Sequence, residues 1–167
     1  MRNSLLSQHS IFAILIALSA HQNYGERFMY KKDFVYQSQV KRLAGSSYYE
    51  VQQHALTIFH RIKHQTKRRP YIRSVYFNKQ KVFFDYFWQH LAQKSFKERK
   101  RRLQFFACAI DLIQYSKHNP VSFDNPMQLQ EILHRFTGRS KDSLIFYVQI
   151  KENKKTNQKY FMSVFPE

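Results

Sequence analysis

The tightest constraint on this chain lies near its C-terminus. Two β-rich runs, Leu144 to Lys151 and Lys159 to Phe165, flank a polar tip, Lys154-Lys155-Thr156-Asn157. Both runs are rich in β-branched and aromatic residues, the composition of strands. Joined through that tip, they read as an antiparallel hairpin. Pairing Lys151 with Lys159 sets Val148 opposite Met162 and Phe146 opposite Val164. One face is then apolar, and the other carries Lys151, Lys159, Gln149, Tyr147 and Ser163. A slip of one residue would scramble that segregation, so the pattern selects the register. A sheet patterned this way packs helices on one face and leaves a polar, cationic face for binding.

The helices are to be found upstream. Ser47-Tyr48-Tyr49-Glu50 is a capping box, and Val51, Ala55, Phe59 and Ile62 follow at helical spacing, predicting a helix over 48–65. Lys67-Arg68-Arg69-Pro70 ends it, because the residue before proline avoids the helical region. Tyr71 to Phe77 is β-branched and aromatic, a strand. Asn78 to Lys81 is expected to turn into a second helix with Phe83, Phe87, His90 and Leu91 on one face. A second capping box, Ser95 to Glu98, opens a helix to about Ser116 with Leu103, Phe106, Ala107 and Ile110 as its core stripe. Residues 117–126 read as loop, and Ile132 to Phe136 alternates until Thr137-Gly138 breaks it. The expected class is α+β: N-terminal helices, then a small antiparallel sheet ending in the hairpin.

Residues 1–44 read as an arm and 45–167 as the domain, so removing the arm is expected to leave a folded core. The apolar run Ile11 to Ala20 is too short to span a bilayer, which takes about 20 residues, so no integral membrane association is expected. A cleaved secretion signal is the alternative reading of that run. The only cysteine, Cys108, sits among apolar neighbours and reads as an inert buried thiol, which suits a reducing cytoplasm.

Charge bears on partners rather than on fold. The chain holds 28 Lys+Arg against 11 Asp+Glu, a net charge of +17, and 17% of it is aromatic. Such a surface seeks a polyanion. Between Arg61 and Arg102 the candidates for phosphate contact are Lys67, Arg68, Arg69, Arg73, Lys79, Lys81, Lys97, Arg99, Lys100, Arg101 and Arg102, interleaved with Tyr71, Tyr76, Phe77 and Phe96. Cations neutralise phosphates and aromatic faces stack unpaired bases, so RNA is favoured over DNA.

Chemistry is read from what is present and missing. There is no Gly-rich phosphate loop, no Gly-x-Ser-x-Gly and no His-Glu-x-x-His. His60 and His64 stand four apart on the first helix, but no acidic third ligand follows and Arg61 and Lys63 repel a cation, so neither metal nor other cofactor is expected. With so few acids, a nuclease built here has to work without metal. RNA permits that, because its 2′-hydroxyl can attack the adjacent phosphate. His134, among cations, is the leading base, and His90 the second.

Three segments, Ser74-Val75-Tyr76-Phe77-Asn78 through Phe87-Trp88-Gln89-His90, Glu131-Ile132-Leu133-His134-Arg135-Phe136, and Phe146-Tyr147-Val148-Gln149-Ile150-Lys151 through Phe161-Met162-Ser163-Val164-Phe165-Pro166, follow one another. Their order resembles the phage and mobile-element nucleases of the barnase–EndoU–colicin–RelE superfamily, over about residues 46–167. The resemblance implies helices before a small antiparallel sheet and a metal-independent ribonuclease of toxin or mobile-element type. It also implies functional groups at His90, His134, Thr137, Lys151 and Ser163; Lys159 and Tyr147 join them on the hairpin's polar face. A non-catalytic nucleic-acid-binding protein is the alternative function, and an acidic antitoxin or immunity protein a further candidate partner.

Overall fold

The computed structural model describes residues 35–167, and the apolar run Ile11–Ala20 lies outside them. The described elements, in order, are β1 Val35–Gln37, α1 Tyr48–Gln65, β2 Tyr71–Ser74, β3 Gln80–Phe83, α2 Phe87–Ala92, α3 Phe96–Gln104, α4 Phe106–Tyr115, β4 Val121–Asp124, β5 Glu131–Arg139, β6 Ile145–Asn153 and β7 Lys159–Pro166. All the strands join one sheet in the order β1-β5-β6-β7-β3-β2, with β4 also paired to β5. The class is α+β. The sheet is larger than the small antiparallel one expected, and it is mixed: β1 runs parallel to β5, and β3 parallel to β7. Among the described residues a strand also precedes the first helix.

Capping chemistry sets the helix starts. Ser47 Oγ accepts the Glu50 amide at 3.2 Å and Ser95 Oγ that of Glu98 at 3.3 Å. The long helix expected from Ser95 is interrupted at Phe105, whose ring is buried against Phe146, so that α3 and α4 are separate. The helix expected after Asn78 begins only at Phe87. Asn78 and Lys79 both take left-handed backbone, with φ of 51° and 63°, and reverse the chain into β3, where Lys81 faces Arg73. The 117–126 segment likewise contains a strand, β4, on the edge of β5.

Gly138 does not break β5. It lies inside the strand because a Cβ there would strike the Phe146 ring and come within 2.8 Å of Leu112 Cδ1 on α4. Gly138→Ala should destabilise the protein by about 1–3 kcal/mol through overpacking. A lowered urea midpoint with an unchanged slope would show it.

The C-terminal hairpin forms, in a register other than the expected one. Lys151 faces Tyr160 and Lys159 faces Glu152. A bulge at Gln149/Ile150 then shifts the pairing, so that Gln149 faces Ser163 and Val148 faces Val164. The cause is packing. Phe161, stacked on Phe87 with centroids 4.5 Å apart, and Val164 are both fully buried, yet they stand three positions apart. Strict alternation would expose one; an extra residue brings both inward. The same shift carries Lys159 to the helix-covered face. On that face Phe84, Phe87 and Phe106 pack against Phe161, with Leu103, Leu112 and Ile113 completing the core.

The folded unit also takes in chain ahead of Gly45. Val35 pairs with Thr137, and Ser38 Oγ, Tyr36 Oη and the Gln39 amide donate to Asp111 Oδ2 at 2.7, 3.0 and 3.2 Å. Among the described residues no helix is long and apolar enough to cross a membrane.

Candidate nucleic-acid interface

On the face of the sheet turned from the core, side chains fall into three cross-strand rows. The first runs Tyr71, Phe83, Tyr160, Lys151, Leu133 across β2, β3, β7, β6 and β5. The second is Arg135, Gln149, Ser163, and the third Thr137, Tyr147, Phe165. Alternation along each strand puts these residues opposite the buried Ile72, Val82, Phe136, Val148 and Ile150.

Two arginines converge on the second and third rows. Arg102, from α3, donates through Nη1 to Ser163 Oγ at 2.6 Å, and its guanidinium carbon lies 5.6 Å from the Phe165 ring centroid. Arg135, from β5, reaches the same ring at 5.7 Å and that of Phe123 at 5.7 Å. Burial holds both guanidiniums below their ordinary pKa. Arg102 has a carboxylate, Glu98, at 3.3 Å. Arg135 has none among the described residues, and its Nε, sealed from solvent, has no hydrogen-bond partner there.

Above this pair, Lys151 Nζ lies 2.8 Å from Glu131 Oε1 and 4.2 Å from the Tyr86 ring centroid. His90, on α2, is part-buried; burial first, and then Lys94, Lys151 and Arg102, hold its imidazole below the usual histidine value. It is therefore neutral at neutral pH and able to accept a proton.

The basic residues divide by position. Lys67 and Arg68 are exposed in the turn after α1; Arg73 and Lys81 flank Tyr71 on the sheet, with Lys81 Nζ 4.6 Å from its ring centroid, and Lys79 is exposed in the turn between their strands. Arg69 pairs with Asp85 and lies over Phe83. In the second cluster, Arg99 caps α2 through the Lys94 and Ala92 carbonyls, Lys100 reaches the Ser46 carbonyl, Arg101 pairs with Glu98, and Lys97 is exposed. Arg99 and Lys100 thus brace the fold.

Of the expected catalytic residues, Lys151, Ser163, Tyr147 and Thr137 share this face, and His90 adjoins it. His134 and Lys159 do not. They lie on the helix-covered face, with His134 7% exposed and Lys159 2%. Sequence reasoning passed over Arg135 as a site residue. The alternation that sends His134 inward sends Arg135 outward, so the signal was in the residue next door. Among the described residues no group of three or more His, Cys, Asp or Glu is placed to hold a metal ion. Comparison with known proteins finds no matching family, no similar curated protein and no similar solved structure.

Proposed function

We propose that this chain binds RNA across the three rows and cleaves it without metal at the Arg102–Arg135 pair, in the manner of the nuclease superfamily it resembles. What carries the reading is Arg135: a half-buried guanidinium with no carboxylate partner among the described residues is costly unless an anion completes it. A phosphodiester offers oxygens that match a guanidinium fork. The net charge of +17 draws such a ligand in.

In the proposed reaction an RNA 2′-oxygen bonds to the adjacent phosphorus and the 5′-oxygen leaves. His90 takes the 2′-proton, a protonated group or water supplies a proton to the departing 5′-oxygen, and Arg102 and Arg135 hold the non-bridging oxygens as charge builds. The products carry 2′,3′-cyclic phosphate and 5′-hydroxyl ends. The test is purified protein on mixed-sequence RNA with EDTA present. Cleavage leaving cyclic ends supports the reading; tight binding with every RNA intact leaves the non-catalytic binder; cleavage stopped by EDTA overturns the metal-free mechanism.

Binding has its own signature. Replacing the exposed Lys67, Arg68, Arg73 and Lys81 together by alanine should lower affinity at least several-fold. It should also flatten the plot of log affinity against log salt, by about 0.7 for each phosphate of a single strand that these side chains neutralise. An unchanged slope would assign these residues to a solvated surface.

A further inference from the structure

A separate constellation occupies the opposite side of the sheet. Ser122 on β4 faces His134 on β5, His134 shares a face with Glu152 on β6, and Glu152 faces Lys159 on β7. The side chains connect in that order. Ser122 Oγ lies 2.8 Å from His134 Nδ1, His134 Nε2 3.1 Å from Glu152 Oε2, and Glu152 Oε1 3.5 Å from Lys159 Nζ. Phe77 lies edge-on to the imidazole at 5.2 Å, and the Lys159 ammonium, 5.2 Å from the same ring, also donates to the Asn157 carbonyl.

The chemistry of the partners settles the proton positions. An ionised carboxylate only accepts, so the imidazole proton sits on Nε2 and points at Glu152. Nδ1 is then a bare acceptor, and the only donor it can take from Ser122 is the hydroxyl proton. Burial, with Lys159 adding to it, outweighs Glu152 and holds the imidazole below its ordinary value, which keeps it neutral. A serine hydroxyl bonded to a neutral imidazole, itself oriented by a part-buried carboxylate, is the general form of an activated nucleophile. Ser122 itself is exposed, and the β4–β5 hairpin also exposes Val121, Met127 and Leu129, apolar ground for an acyl chain.

The geometry points to a nucleophilic serine site at Ser122, driven by His134 and Glu152 and acting on unhindered short-chain carboxylic esters. Ser122 Oγ bonds to the acyl carbon while its proton passes to His134 Nδ1. The ester's alcohol departs with that proton, leaving an acyl-serine. Water then repeats the exchange: its hydroxyl bonds to the carbonyl, its proton goes to His134, and Ser122 leaves as the alcohol, releasing the acid. Glu152 steadies the imidazolium formed in each half, and Lys159 stands beside Glu152 as its counter-charge. Because these groups lie across the sheet from Arg102 and Arg135, the site stands independently of the RNA proposal.

The experiment uses the full chain, a fluorophosphonate probe and p-nitrophenyl butyrate. Peptide mass mapping should find the phosphonyl adduct on Ser122. Ser122→Ala, a change at an exposed position, should abolish both the adduct and ester turnover. Glu152→Gln should slow labelling at least tenfold, with circular dichroism showing an intact fold; His134→Gln serves as the second variant. No adduct on Ser122 of the native protein, undiminished labelling of Ser122→Ala, or a folded Glu152→Gln labelled at the native rate would each overturn the proposal.

Discussion

Arg135→Met should lower the proposed RNA cleavage by about a hundredfold or more while leaving the protein as stable as before, or more so. The rate loss is on the order seen when one charge-stabilising donor is removed from a developing oxyanion. Binding should weaken only a few-fold, because most of the positive charge lies elsewhere. The stability expectation follows from Arg135's surroundings. Its guanidinium is half-buried and, among the described residues, has no carboxylate partner and no partner for its Nε. Exchanging such a cation for an apolar side chain of similar length removes a desolvation cost. Against that gain stands the packing over Phe123 and Phe165, roughly 0.5–1 kcal/mol at each ring. Arg135→Lys should not restore activity, since an ammonium cannot make the forked contact. Cleavage kinetics beside urea titration decide the matter. Native activity in Arg135→Met would remove the phosphate site, and a loss of more than about 2 kcal/mol would make Arg135 a structural residue.

Local signals in this chain are strong where a single mechanism governs them. Both capping boxes mark helix starts because a hydroxyl three residues from an orphan amide needs nothing from the rest of the fold. The hairpin is legible from two β-rich runs around a polar tip. What alternation cannot show is the bulge, because the extra residue answers to Phe87 on a distant helix rather than to anything in the hairpin. The β2–β3 reversal was hidden for a related reason. Lys79 with positive φ is uncommon, and the aromatic run after it has helical spacing that tertiary pairing overrides.

The site was half legible for the same reason as the hairpin. Once strands are assigned, Ser163, Tyr147, Thr137 and Lys151 must share a face, and they do. Lys159 leaves that group because the pairing at the tip is one residue away from the expected register, which reverses its direction. His134 was picked out for its cationic neighbours in sequence, yet its contacts are Ser122, Glu152, Lys159 and Phe77, drawn from β4, β6, β7 and the loop after β2. Such a chain of contacts is written in the sheet order, which no periodicity records.

The N-terminal boundary gives the second large effect. A protein starting at Gly45 should lose cooperative unfolding, or melt well below the full chain, whereas one starting at Val35 keeps the contacts that residues 35–44 make with α4 and β5. Asp111, 9% exposed on α4, accepts hydrogen bonds from Tyr36, Ser38 and Gln39. Burial beside that carboxylate pushes the Tyr36 phenol up, so it keeps its proton and donates. Removing the segment takes away three hydrogen bonds to that carboxylate, about 1.5–3 kcal/mol each, against a total stability of roughly 5–15 kcal/mol for a domain. The β1–β5 pairing and the packing of Val40 and Leu43 on the core go with it. Thermal denaturation of the two truncations reads the difference, and Asp111→Asn separates its parts. In the full chain that change should destabilise, because the amide cannot accept all three bonds. In the protein starting at Gly45 it should have little effect, because the donors that the carboxylate meets are gone. If Asp111→Asn costs the same in both proteins, the carboxylate is not what holds the N-terminal segment to α4.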